Sequence, residues 1–196
     1  MEKPGSTIGL VQYLALAYDL VEAFFAVLFG VIANSPALMG FGFNSLAEFG
    51  IGLSVVKRLK NPSYMAGDGP DAGQSNFRPP VLRAVIFFIL GSYILIRSLK
   101  MLLTSNFPAV SRPGILIAVI SLLITPLFAL WGFKEPAPVK PLSFQNIRAC
   151  LLLSLGLLIG LGLNLAGIWQ ADPLMGLVSV GFLYKKTLDG LLRDAT

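Results

Sequence analysis

Three acidic residues lie inside long apolar runs of this 196-residue chain: Asp19, Glu22 and Glu48. A charge inside hydrocarbon costs about 2.5–3.5 kcal/mol on insertion scales, so such residues mark places where charge is used. Glu22 precedes the turn centred near Ser35 by 13 residues, and Glu48 follows it by 13. In an antiparallel hairpin they sit at one depth, where two carboxylates can share a cation or a proton. The other reading is that each is neutral and hydrogen-bonded to a neighbouring helix. Asp19 lies nearer the chain's start and is the wetter of the three. Asn44 and Glu48 are spaced i, i+4 and share a helix face, which Gly40 continues one turn earlier. Asn146 and Cys150 repeat that spacing further on. Arg148, between them on a different face, would repel a bound cation unless it snorkels outward.

The elements that must carry these residues follow from composition. Apolar types make up 55% of the chain and charged types 13%, with mean hydropathy +0.77. Soluble domains carry about 25% charged residues. Six apolar segments are legible, at about Ile8–Ala33, Ala37–Val56, Val81–Leu103, Ile115–Phe133, Ile147–Trp169 and Leu174–Leu192. Each is long enough for a membrane-spanning helix, and barrel strands would be about half as long and alternating. The expectation is an all-α integral membrane protein with six transmembrane helices in a single domain over 1–196. The start of the chain reads as a first membrane helix rather than a cleaved signal. The stretch NPSYMAGDGPDAGQSNFRPP, residues 61–80, lacks hydrophobic periodicity and reads as a mobile cytoplasmic loop, while the Pro-rich KEPAPVKP ends at Pro141.

Charge orients the bundle. Of the 15 Lys and Arg residues, 12 fall on the side shared by the N-terminus, the second and fourth loops and the C-terminus. Lys185 and Lys186 are counted there. The other side holds Arg97, Lys100 and Arg112. The positive-inside rule places both termini in the cytoplasm. It also accounts for the net charge of +5 without a nucleic-acid partner.

The chain has no histidine and one cysteine, Cys150, so no internal disulfide forms and most catalytic constellations cannot be built. No dinucleotide fingerprint, phosphate loop, CxxC or HExxH is present. An enzyme is not expected. The close glycines Gly40, Gly42, Gly50 and Gly52, and the GxxxG of Gly156 and Gly160, read as helix-packing positions.

The run YDLVEAFFAVLFGVIANSPALMGFGFNSLAEFGIGLSVVKRL resembles helices 1 and 2 of the cation diffusion facilitator family. GIWQADPLMGLVSVGFLYKKTLDGLL, with its Trp-x-x-Asp-Pro, resembles that family's junction of helices 5 and 6. ISLLITPLFA and CLLLSLGLLIGLGLN look like helices 4 and 5 of a short branch without the cytoplasmic metal-binding domain. The resemblance implies a six-helix bundle, a homodimer, and export of divalent cations such as zinc or manganese against protons. It places the transport site on Asn44 and Glu48 of helix 2 and near Ser143, Asn146 and Cys150 of helix 5. This chain departs from the pattern where Asn44 and Ser143 stand in place of Asp. The candidate site keeps Glu48, with Glu22 nearby, and Cys150 is the weakest member.

A dehydrated divalent ion needs anionic ligands to offset its lost hydration. Glu, Asn and Ser oxygens suit magnesium or manganese better than zinc, and hold them weakly. Two functions are therefore in contention. The first is a transporter, embedded in lipid, that moves a divalent cation, or only a proton or monovalent cation, with Glu48 as main ligand or proton carrier. The second is a transport-inactive relative serving as a structural or accessory subunit of a larger membrane complex. No resident cofactor is implied.

Overall fold

The protein, seen in a computed structural model, is described over residues 10–60, 79–132 and 140–193. Six α-helices and no strand occupy these residues: α1 Leu10–Ile32, α2 Pro36–Lys60, α3 Pro79–Thr104, α4 Arg112–Gly132, α5 Lys140–Leu165 and α6 Ala171–Arg193. Two of them, over Tyr13–Ile32 and Ala84–Thr104, are long and apolar enough to cross a membrane; α4 and α5 carry shorter apolar stretches. The body of the expected cytoplasmic loop, 61–78, lies outside the described residues.

Several helix ends differ from the hydropathy reading, for reasons of backbone chemistry. Pro79 and Pro80 belong to α3, because proline's fixed φ and missing N–H suit the first turn of a helix. Pro141 likewise sits in the first turn of α5, which starts at Lys140 rather than near Ile147. That helix ends at Leu165, short of Trp169, because Gly167 takes φ +93°. Ile168 N–H then reaches Leu163 O at 2.8 Å and Gly167 N–H reaches Asn164 O at 3.0 Å, a Schellman closure.

The same closure ends α1. Asn34 takes φ 55°, Ser35 N–H donates to Gly30 O at 2.8 Å and Asn34 N–H to Val31 O at 3.2 Å. Ser35 then caps the next helix, its Oγ accepting from Leu38 N–H at 3.2 Å, with Pro36 in the first helical position. Ser111 caps α4 in the same way, accepting from Gly114 N–H at 3.1 Å. The turns α1–α2 and α3–α4 are joined by Ala109 N–H on Ala33 O at 2.8 Å.

The helix α2 is the centre of the bundle and packs against α1, α3, α5 and α6. Its first turns are buried through Pro36, Ala37, Leu38, Met39, Gly40, Phe41 and Gly42. At Gly42 a Cβ would come within 2.9 Å of the Val27 backbone nitrogen of α1, and at Gly40 within 2.8 Å of Ser179 Cβ of α6. Those two glycines bring both neighbours to contact distance. In α5, Gly160 seats the Met175 side chain of α6, whose Cγ would lie 2.8 Å from an added Cβ.

Polar side chains are buried among the apolar core clusters, and large apolar side chains lie on the outside. Serines 35, 45, 98, 121 and 154, with Asn44 and Asp172, are fully buried. Large apolar side chains face outward on α1, α3, α4, α5 and α6, among them Phe24, Ile32, Ile89, Ile96, Leu123, Leu152 and Leu174.

One carboxylate ties α6 to α2. Asp172 accepts from Ser35 Oγ at 2.6 Å and from Ala37 N–H at 3.1 Å, wholly out of solvent. Replacing Asp172 with Ala orphans both donors, and each buried unsatisfied group costs about 1–3 kcal/mol. D172A is expected to unfold in detergent at a clearly lower temperature than wild type, with Asp172→Asn in between. Equal melting temperatures for all three would remove the tie from the account.

Candidate functional site

Glu48 and Asn44 lie one helical turn apart on the face of α2 that meets α6. Asn44 Nδ2 donates to Glu48 Oε1 at 3.1 Å. Across the interface, Lys186 Nζ donates to Glu48 Oε1 and to Asn44 Oδ1, both at 2.7 Å. The three side chains close a ring of charge-assisted hydrogen bonds. The Lys186 and Glu48 side chains are each 10% exposed, so this is an interior ion pair. Lys186, counted by the positive-inside rule with the charges on the side of the termini, faces inward here, because a lysine stem can lie along apolar packing while its ammonium takes an interior carboxylate.

Glu22 takes a different set of partners. Tyr18 Oη donates to its Oε1 at 2.7 Å and Ser45 Oγ to its Oε2 at 2.7 Å. Glu22 and Glu48 lie close enough to feel each other's charge, yet each is held by its own donors. Asp19 stands at the edge of the same centre, within electrostatic reach of Glu48, Glu22 and Lys186.

On the far wall, Cys150 of α5 is buried, 3.5 Å from Thr125 Oγ1 of α4, and within electrostatic reach of Glu22, Glu48 and Lys186. Ser154 follows one turn later, bonding Ser121 at 2.9 Å. Arg148 is exposed and stands clear of this wall. The side chains of Ser143 and Asn146 lie outside the described residues. Among the described residues, no group of three or more His, Cys, Asp and Glu side chains is disposed to hold a metal ion.

Sequence reasoning reached Glu48, Asn44 and Glu22 but missed Lys186, Ser45 and Tyr18. Lys186 lies 14 residues after Asp172, as Glu48 lies 13 after Ser35, and the structure shows the two helices starting together. At ~1.5 Å per residue the two positions arrive within ~2 Å of the same height. The Tyr18–Glu22 pair is also visible as an i, i+4 spacing.

No family model matches this chain and no curated protein matches it, so the likeness to cation diffusion facilitators rests on the quoted runs alone.

The interior pair makes an energetic prediction. Removing one partner of a buried pair typically costs about 3–5 kcal/mol, whereas replacing both with neutral groups costs far less. Lys186→Met is expected to lower thermal stability in detergent more than the double variant Lys186→Met/Glu48→Gln. A double variant less stable than the single one would mean the two residues are not coupled.

Proposed function

We propose that this chain is a six-span membrane protein of cation-efflux-like architecture, both termini cytoplasmic, that moves a cation through the polar centre between α1, α2 and α6. The observation that carries the reading is the Glu48–Asn44–Lys186 ring. It is a charged, hydrogen-bonded cluster sealed inside a bundle whose outer surface is apolar. Soluble monomers rarely expose contiguous apolar patches beyond a few hundred Å². Outward-facing Leu, Ile, Val and Phe on five helices suit lipid, and buried Ser and Asn suit helix contacts in lipid. The Phe107–Trp169 pair, with ring centroids 5.1 Å apart, stands beside the tight turns, where an interfacial aromatic is favoured.

In this reading Glu48 is the main cation ligand or proton carrier and Asn44 a neutral oxygen ligand. Glu22 and Asp19 stand beside them on α1, and divalent ions, manganese or magnesium before zinc, are the first candidates. Passage would proceed by alternating access, with protons as the counter-ion. Its surroundings are membrane lipid and a second copy of the chain.

A second reading is favoured by one specific feature. Lys186 already supplies Glu48 with a positive charge, and Asn44 contributes none. A protein with such a neutralised centre suits a structural or accessory role in a larger membrane complex.

Liposomes containing the purified protein separate the two. Under a proton gradient, wild type is expected to pass manganese or magnesium, and Glu48→Gln to reduce that flux at least tenfold. Unchanged flux in E48Q would remove Glu48 from the path. Wild-type liposomes that pass no tested ion, together with an unlike partner retained through mild-detergent purification, would establish the accessory role. The six-span topology has its own check: cysteines introduced at the α1–α2 and α5–α6 turns should label from the side opposite the termini.

A further inference from the structure

We infer that Lys186 is the bundle's tethered cation: its ammonium occupies the place on Glu48 and Asn44 that a mobile cation would take, and an incoming ion must displace it. This deepens the proposed transport reading by naming what controls access to the site.

The argument begins with what surrounds the ammonium. Nζ lies 2.7 Å from a carboxylate oxygen and 2.7 Å from an amide oxygen, both on one face of α2. An amide oxygen and a carboxylate are what a hard cation selects. The amide is oriented by its own bond: Asn44 Nδ2 points at Glu48 Oε1, leaving Oδ1 to face Lys186. Both oxygens therefore already accept from an ammonium with which an incoming cation would compete.

Charge points the same way. Glu48 contributes one negative charge to the ring, Asn44 none, and Lys186 one positive charge, so the ring is neutral. A divalent ion brought beside Lys186 meets a like charge in a poorly hydrated interior, where screening is weak. With Lys186 withdrawn, Glu48 and Asn44 face the ion with Asp19 and Glu22 of α1 within electrostatic reach of Glu48. That makes one residue decide between a self-occupied state and an ion-accepting one.

The Lys186 side chain is 10% exposed and its neighbour Lys185 on α6 is exposed, so the ammonium lies near solvent. A long lysine stem lets the ammonium move without moving the helix.

The test uses the full-length protein in detergent and Mn²⁺ as the probe, with binding read by electron paramagnetic resonance and by thermal stabilisation. Lys186→Met removes the charge and keeps the apolar stem, and is expected to bind Mn²⁺ at least tenfold more tightly than wild type. Lys186→Met/Glu48→Gln is expected to lose that gain, and Lys186→Arg, which keeps the charge, is expected not to show it. Because K186M leaves Glu48 without its ammonium, the variant is also purified in Mn²⁺, which should raise its melting temperature while leaving the double variant's unchanged. A K186M protein that binds Mn²⁺ no better than wild type, or that Mn²⁺ fails to stabilise, overturns the inference. So does equal binding by K186R. Failure of the transport reading looks different: K186M gains Glu48-dependent Mn²⁺ binding while wild-type liposomes pass no ion.

Discussion

Asp172 joins the N-termini of two helices by accepting hydrogen bonds from Ser35 Oγ and Ala37 N–H at the start of α2, while itself standing in the first turn of α6. A carboxylate at a helix N-terminus is favoured by the free N–H groups and by the helix dipole. Here one carboxylate meets that demand for a helix other than its own. Helices pinned at one end and running in the same direction keep their residues in step. Gly40 therefore meets Ser179, and Asn44 and Glu48 meet Lys186, along one interface. The position of the charged ring is thus a consequence of the tie some 20 Å away along the helix axes. A slip of one residue at Asp172 would turn Lys186 by about 100° and carry the ammonium off Glu48.

Close approach makes this registration useful. With Gly40 and Gly42 on α2, both α1 and α6 come near enough for short side chains to bond between helices. Ser45 reaches Glu22 on α1, and Asn44 reaches Lys186 on α6, from adjacent positions of the same turn. The central helix thereby divides the acids. Glu22 is held by neutral hydroxyls and Glu48 by an ammonium, although the two lie close enough to interact. Burying either without donors would cost several kcal/mol.

The helical class was legible because long apolar runs punctuated by Pro and Gly leave the backbone little alternative. The α1–α2 turn could be placed at Ser35 because Asn-Ser-Pro combines a residue tolerant of positive φ, an N-cap and a first-turn proline. Glu22, Asn44 and Glu48 stood out because charge and amide are rare in such runs. Lys186 did not, because lysines near a helix end usually mark the membrane boundary, and its neighbour Lys185 is indeed exposed. Hydropathy averages over a window and cannot say which of two adjacent lysines turns inward; that depends on the 100° between them and on what the neighbouring helix offers. Asp172 was noticed only as part of a Trp-x-x-Asp-Pro pattern. Its role requires knowing that α6 begins beside α2, a long-range fact without a local signal.

The choice of an amide rather than a carboxylate at Asn44 has a physical sense once Lys186 is in view. A carboxylate at that position would give two negative charges against one ammonium, and the excess would call for another cation. The amide oxygen faces Lys186 and the amide N–H bonds Glu48, so the one side chain serves as both acceptor and donor in the ring. A neutral, hydrogen-bonded ring is stable in an apolar bundle without any mobile ion, which a two-carboxylate site is not. Asn44 and Lys186 therefore act as one unit. Adding a carboxylate at position 44 while keeping the lysine, or removing the lysine while keeping the amide, each unbalances the ring by one charge in the same direction. The electrostatics of this centre are set by the pair.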